Sequence, residues 1–152
     1  MEKAKQLSVS LVNKPGRLAG VLTALHKEKV GLRARSVMDT AGRSTVRFVA
    51  DDPALARSAM ETINVNYDES EVLLVDVPNQ TGGFGRVCER LAVEHLNIDY
   101  AYSSFNSGPG AKRGPLAVIR VNDLAKAQRV LSNNSSNGVR RKQPRRRPVH
   151  AR

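Results

Sequence analysis

Two short runs carry the residue types best suited to holding a small polar molecule. Asn13-Lys14-Pro15-Gly16-Arg17-Leu18 recurs 66 residues later as Asn79-Gln80-Thr81-Gly82-Gly83-Phe84. Each asparagine offers an amide donor and a carbonyl acceptor, and the glycines let a ligand approach the backbone closely. Apolar residues follow at helical spacing, Val21, Leu22 and Leu25 after the first run and Val87, Cys88 and Leu91 after the second. Each run therefore lies where a helix begins. The free N–H groups of a first turn, at the positive end of the helix dipole, suit a carboxylate. A molecule bearing one carboxylate and one ammonium, such as an amino acid, fits such a junction. The purely structural alternative is that the asparagines cap helices and the glycines make tight turns.

Other chemistry is poorly supplied. The lone cysteine, Cys88, cannot form an internal disulfide or a multi-cysteine zinc site, and His26, His95 and His150 share no metal-ligand spacing. Cys88 stands where Leu22 stands in the other run, so a buried, unreactive thiol is expected rather than a nucleophile. No Ser/His/Asp order or pair of carboxylates stands out, and Gly82-Gly83-Phe84-Gly85 lacks the lysine of a phosphate-binding loop. No catalytic residue, metal or cofactor is expected, and the chain does not read as an enzyme.

The net charge of +11 suggests a nucleic-acid partner until it is apportioned. Residues 138–152 hold seven of the 25 Lys and Arg and no acid, which leaves 18 basic against 14 acidic residues in the rest. That tail, with Pro144 and Pro148, reads as disordered and capable of weak polyanion binding. With three Phe, three Tyr and no Trp, the body lacks stacking platforms for bases. No stretch approaches the ~18 apolar residues of a membrane span, and Met1 to Gln6 carry no apolar leader core, so a cytoplasmic protein is expected.

The elements that must position the two runs repeat with them. Leu7, Val9 and Leu11 map onto Leu73, Val75 and Val77, and Val46, Phe48, Ala50 and Asp52 onto Ala117, Ile119, Val121 and Asp123. Each alternating segment reads as a half-buried strand. The first copy reads as a strand to Leu11, a helix stopped by Gly31, a hairpin of 32–39 and 45–50 across Thr40 to Arg43, a helix from Asp52 and Pro53 to Met60, and a strand at 63–68. The second reads as 72–77, a helix over 83–95, strands 98–105 and 116–121, and a helix over 123–131. Its fourth strand is hard to find: either a short one at 138–142 or none. On the first copy's strands Leu7, Val9, Leu32, Ala34, Val46 and Phe48 are expected to face the helices. Leu74, Ala101, Ser103, Leu116 and Val118 are expected on the opposite face of the second. Copies of βαββαβ order give an α+β fold, two ferredoxin-like repeats at 7–70 and 71–137, with 138–152 as tail.

A strand ending in Asn-x-Pro-Gly-x-Leu and running into an amphipathic helix within βαββαβ resembles the ACT domain; in the second copy threonine replaces proline. The resemblance spans about residues 7–131 and implies a stand-alone tandem module that binds a free amino acid and regulates a partner. It implies Asn13, Pro15, Gly16 and Leu18, with Asn79, Gly82, Gly83 and Phe84, as ligand-binding positions. It also implies association as a homodimer or with a regulated enzyme, the side-by-side pairing of modules into a continuous sheet being the expected mode. The glycine-rich hairpin of 104–115 neighbours the second loop and reads as a lid or as an ordinary surface loop. Two alternatives stand beside this reading: the small regulatory subunit of an amino-acid biosynthetic enzyme, and a nucleic-acid-binding accessory protein acting through the tail.

Overall fold

Helix starts and stops repeat in atomic detail. The computed structural model describes residues 1–104 and 114–133. Along them run β1 (Glu2–Val12), α1 (Arg17–Lys27), β2 (Leu32–Thr40), β3 (Arg43–Ala50), α2 (Pro53–Thr62), β4 (Tyr67–Asp76), α3 (Gly83–Val93), β5 (Ile98–Ser104), β6 (Leu116–Val121) and α4 (Leu124–Ser132). Asp52 caps α2 by accepting from the N–H groups of Ala54 and Leu55, and Asp123 caps α4 by accepting from that of Lys126. α1 and α3 both end on a left-handed residue, Lys29 and His95, each with φ 56°. There the N–H of Val30 returns to Leu25 O and that of Leu96 to Leu91 O, and both side chains turn into the core. Lys29, not Gly31, therefore ends the first helix. Glycine at 31 answers a different need: a Cβ would lie 2.4 Å from Asp51 Oδ2, while Asp51 Oδ1 accepts from the Gly31 N–H at 2.9 Å.

The strands form one antiparallel sheet in the order β2-β3-β1-β4-β6-β5. The segments expected at 63–68 and 72–77 are a single strand. Asn64, at φ 54°, turns the chain after α2, and β4 runs from Tyr67 to Asp76. Its residues 67–74 pair with β1, and its residues 73–76 pair with β6 on the other side. The place of a fourth strand beside the second repeat is taken by the start of β1, where Glu2, Lys3 and Ala4 pair with Leu74, Leu73 and Val72. The alternative location at 138–142 and the tail lie outside the described residues.

Three apolar clusters hold the layers together. Leu7, Val9, Val46 and Phe48 pack against Val21 and Leu25 of α1 and Ala56 and Met60 of α2. Leu73, Val75 and Ile119 pack against Val87 and Leu91 of α3 and Ala127 of α4. The third cluster joins the helix-free faces, Ala34 and Val49 of the first repeat against Val72, Leu74, Leu116 and Val118 of the second. The sheet curls enough to bring the edge strands β2 and β5 into contact.

Two bulges correct the expected faces. Register shifts between Leu32 and Ala34 and between Ile98 and Tyr100 each displace the alternation by one residue. Ala34 thus joins the inter-repeat cluster instead of facing α1. On β5, Tyr102 packs into that cluster while Ala101 and Ser103 are exposed. The helix phase is corrected too. Leu22 is 36% exposed and Cys88 is only half-buried, because Val21, Leu25, Val87 and Leu91 occupy the stripe that meets the sheet.

Gln6 is fully buried at the seam between the repeats. Its Nε2 donates to Tyr100 Oη at 2.6 Å and its Oε1 accepts from Tyr102 Oη at 2.9 Å. The Arg47 guanidinium stacks 4.3 Å from the Tyr100 ring centroid. Burial first, and then the neighbouring Tyr100, push the Tyr102 phenol far above the usual tyrosine range. At the other end of the seam the Glu2 carboxylate pairs with Arg33, and that hydrogen bond holds Glu2 below the usual carboxylate range.

Candidate functional site

The recurring run encodes a turn. In the first repeat the Arg17 N–H returns to Lys14 O at 3.3 Å, and in the second the Gly83 N–H returns to Gln80 O at 2.9 Å. Between them Gly16 has φ 84°, ψ −13°, and Gly82 has φ 76°, ψ 7°. These are the dihedrals of the third residue of a type II turn, which needs positive φ and favours proline just before it. Pro15 fills that place and Thr81 replaces it. Both glycines are the N-caps of their helices, and neither helix has a side-chain cap. The asparagines are therefore not helix caps.

Asn13 binds the neighbouring hairpin instead. Its Nδ2 donates to Asp39 Oδ1 at 3.2 Å, and its backbone N–H donates to Gly42 O at 3.0 Å. Ala41 and Gly42, at φ 50° and 79°, form a turn with two positive φ values that carries the hairpin back onto the loop. Asn13 Oδ1 and the second oxygen of Asp39 are acceptors facing the same exposed corner, beside the uncapped start of α1. This pairs acceptors for an ammonium with donors for a carboxylate. Asp39 was not among the sequence-derived positions; its place at the end of the strand beside the first loop is the signal that could have found it.

The second loop is packed from below and open above. The Val77 N–H donates to Pro115 O at 3.0 Å. Backbone approaches are close enough to require glycine, since a Cβ on Gly83 would lie 2.3 Å from Pro78 O and one on Gly114 would lie 2.1 Å from Val77 O. A concavity of about 610 Å³ is lined by residues 77–85 and Pro115, so Asn79, Gly82, Gly83 and Phe84 come together in one place. The nearest cation is Arg86, 3.9 Å from where a Gly82 Cβ would stand. In the first repeat Leu18 lines a separate crevice of about 260 Å³, while Asn13, Pro15 and Gly16 form the loop's exposed corner. The span expected as a lid falls, over 105–113, outside the described residues. Among the described residues no group of His, Cys, Asp and Glu could hold a metal ion, and no helix is long and apolar enough to cross a membrane.

Comparison with known proteins agrees with this arrangement. Among solved structures, the protein BT0572 from Bacteroides thetaiotaomicron is 32% identical, with a TM-score of 0.77 over 86% of this chain and 87% of that one. The regulatory subunit of aspartate kinase from Thermus thermophilus, in its ligand-free form, shares the fold at 15% identity and a TM-score of 0.62, over 86% of this chain and 89% of that one. The corresponding subunit from Thermus flavus does so at 14% identity and a TM-score of 0.62, over 87% and 90%. No curated protein matches the chain. The family model described as an ACT domain pair matches residues 2–144, a span that includes both turns, both hairpin bases and the strand segment at Glu2 to Ala4. The chain belongs to the ACT domain pair family.

Proposed function

We propose that this chain is a regulatory module that binds a free amino acid at the strand-to-helix loops and conveys its occupancy to a partner. The carrying observation is the first loop, where Asn13 and Asp39 present acceptors beside the uncapped N-terminus of α1. Such a corner complements an ammonium and a carboxylate held one carbon apart. The second loop supports the same reading through its concavity, its equivalent turn and Asn79. Asn13, Pro15, Gly16 and Leu18, with Asn79, Gly82, Gly83 and Phe84, are the proposed binding positions, and Asp39 joins them.

The partner in this reading is an enzyme or a second copy of the chain. The printed description of the Thermus neighbours, regulatory subunits of aspartate kinase, favours an enzyme of amino-acid metabolism. A thermal-shift screen of the full chain against the twenty amino acids tests the reading. A ligand at 100 times its dissociation constant adds about 2.7 kcal/mol of stability. At least one amino acid should raise the melting temperature, and a flat response to all twenty would overturn the proposal.

A further inference from the structure

The crevice lined by Leu18 lies between α1 and the edge strand β2, away from the polar corner at Asn13. Leu22, Leu32, Val37 and Phe48 share its walls, and Arg35 stands among the lining residues. Its rim is apolar and exposed, with Leu18 and Leu22 at 36% and Val37 at 50%. The bulge between Leu32 and Ala34 is what brings Arg35 there, because unbroken alternation from Leu32 would turn Ala34 toward α1 and Arg35 away. Among the described residues no hydrogen bond or ion pair engages the Arg35 guanidinium. The second repeat has the equivalent bulge, yet 66 residues on it places Ala101 for Arg35, Cys88 for Leu22 and Ser103 for Val37. An apolar wall combined with an unengaged cation is thus peculiar to the first repeat.

We propose that this crevice binds a small monocarboxylate with a branched or aromatic hydrocarbon body. The carboxylate lies on Arg35, whose fork of donors matches its two oxygens, and the body covers Leu18, Leu22 and Val37. The size agrees, since a dry cavity of about 150 Å³ already admits benzene and this crevice holds about 260 Å³. The ligand needs no ammonium, so the site is separate from the amino-acid corner at Asn13 and Asp39.

The test uses the full chain with isovalerate and phenylacetate as probes, acetate as the control without a body and isoamyl alcohol as the control without a charge. Dissociation constants come from saturation-transfer NMR, and oligomeric state from light scattering. Isovalerate and phenylacetate should bind about tenfold more tightly than either control, the effect of one charge-assisted contact. Arg35→Gln should abolish the advantage of acid over alcohol, Leu22→Gln should weaken both, and Asn13→Ala should change neither. Equal binding of acid and alcohol, or indifference to Arg35→Gln, would overturn the proposal. Loss with Asn13→Ala would move the ligand to the loop and overturn it. A Leu22→Gln chain that changes oligomeric state but keeps its ligand affinities would show the crevice to be a surface between copies, which also overturns it.

Discussion

Replacing Gln6 by leucine removes the one buried polar side chain recorded among the described residues while nearly preserving its volume. Two short hydrogen bonds disappear, to Tyr100 Oη and Tyr102 Oη, and each contributes about 0.5–1.5 kcal/mol net. Tyr100 is partly exposed and its hydroxyl can turn to water, but Tyr102 packs against the inter-repeat cluster. An unsatisfied hydroxyl there adds about 1–3 kcal/mol. The sum is a loss of about 2–4 kcal/mol, or roughly 4–16 °C in melting temperature for a chain of this size. Urea unfolding followed by circular dichroism measures it. The control is the triple change Gln6→Leu, Tyr100→Phe and Tyr102→Phe, which removes donors and acceptors together and should recover more than half of the loss. A neutral Gln6→Leu, or a triple variant less stable than the single, would refute the claim that this network holds the repeats in register.

Four further outcomes follow from the same geometry. Asn13→Ala and Asn79→Ala together should weaken a bound amino acid by about 1–3 kcal/mol with the melting temperature of the free chain nearly unchanged, as read by calorimetry and thermal shift. Gly83→Ala, whose Cβ would meet Pro78 O at 2.3 Å, should distort the second loop and lose its ligand, whereas Gly85→Ala, with open space around it, should not. Because Tyr102 is raised far above its unfolded value near 10, its contribution is present below about pH 10 and is lost as pH rises beyond it. A spectrophotometric titration should accordingly find one tyrosine that ionises only as the chain unfolds. Cys88, half-buried, should react with a thiol reagent in native buffer faster than the urea-extrapolated unfolding rate, and labelling limited by unfolding would restore the core position expected from its match to Leu22.

Local grammar made much of the fold legible. The offset of 66 residues fixed both helix starts because a type II turn needs glycine at its third position, and Asp52 and Asp123 marked the second helices because capping is a local interaction. The sheet was less legible wherever polarity or register departed from simple alternation. Tyr67 to Glu71 carry three acids on a strand paired with β1, so β4 read as two segments instead of one. Glu2 to Gln6 look like a charged leader, yet Glu2 to Ala4 complete the second repeat and Gln6 is its most buried polar residue. One-residue bulges at Leu32 and Ile98 leave no mark in composition but exchange the faces of every residue that follows. The site was found through its loops and missed at Asp39, since that carboxylate meets Asn13 only after the hairpin folds back.

The central claim, that the turns at Gly16 and Gly82 receive an amino acid, is tested most directly by amide chemical shifts. A 15N-labelled full chain is titrated with each of the twenty amino acids, and the largest changes are mapped. Binding as proposed predicts that they fall on the first turns of α1 and α3, at Arg17 to Ala19 and Gly83 to Gly85, and on Asn13 and Asp39. Saturable shifts confined to other elements, or none with any of the twenty, would contradict it.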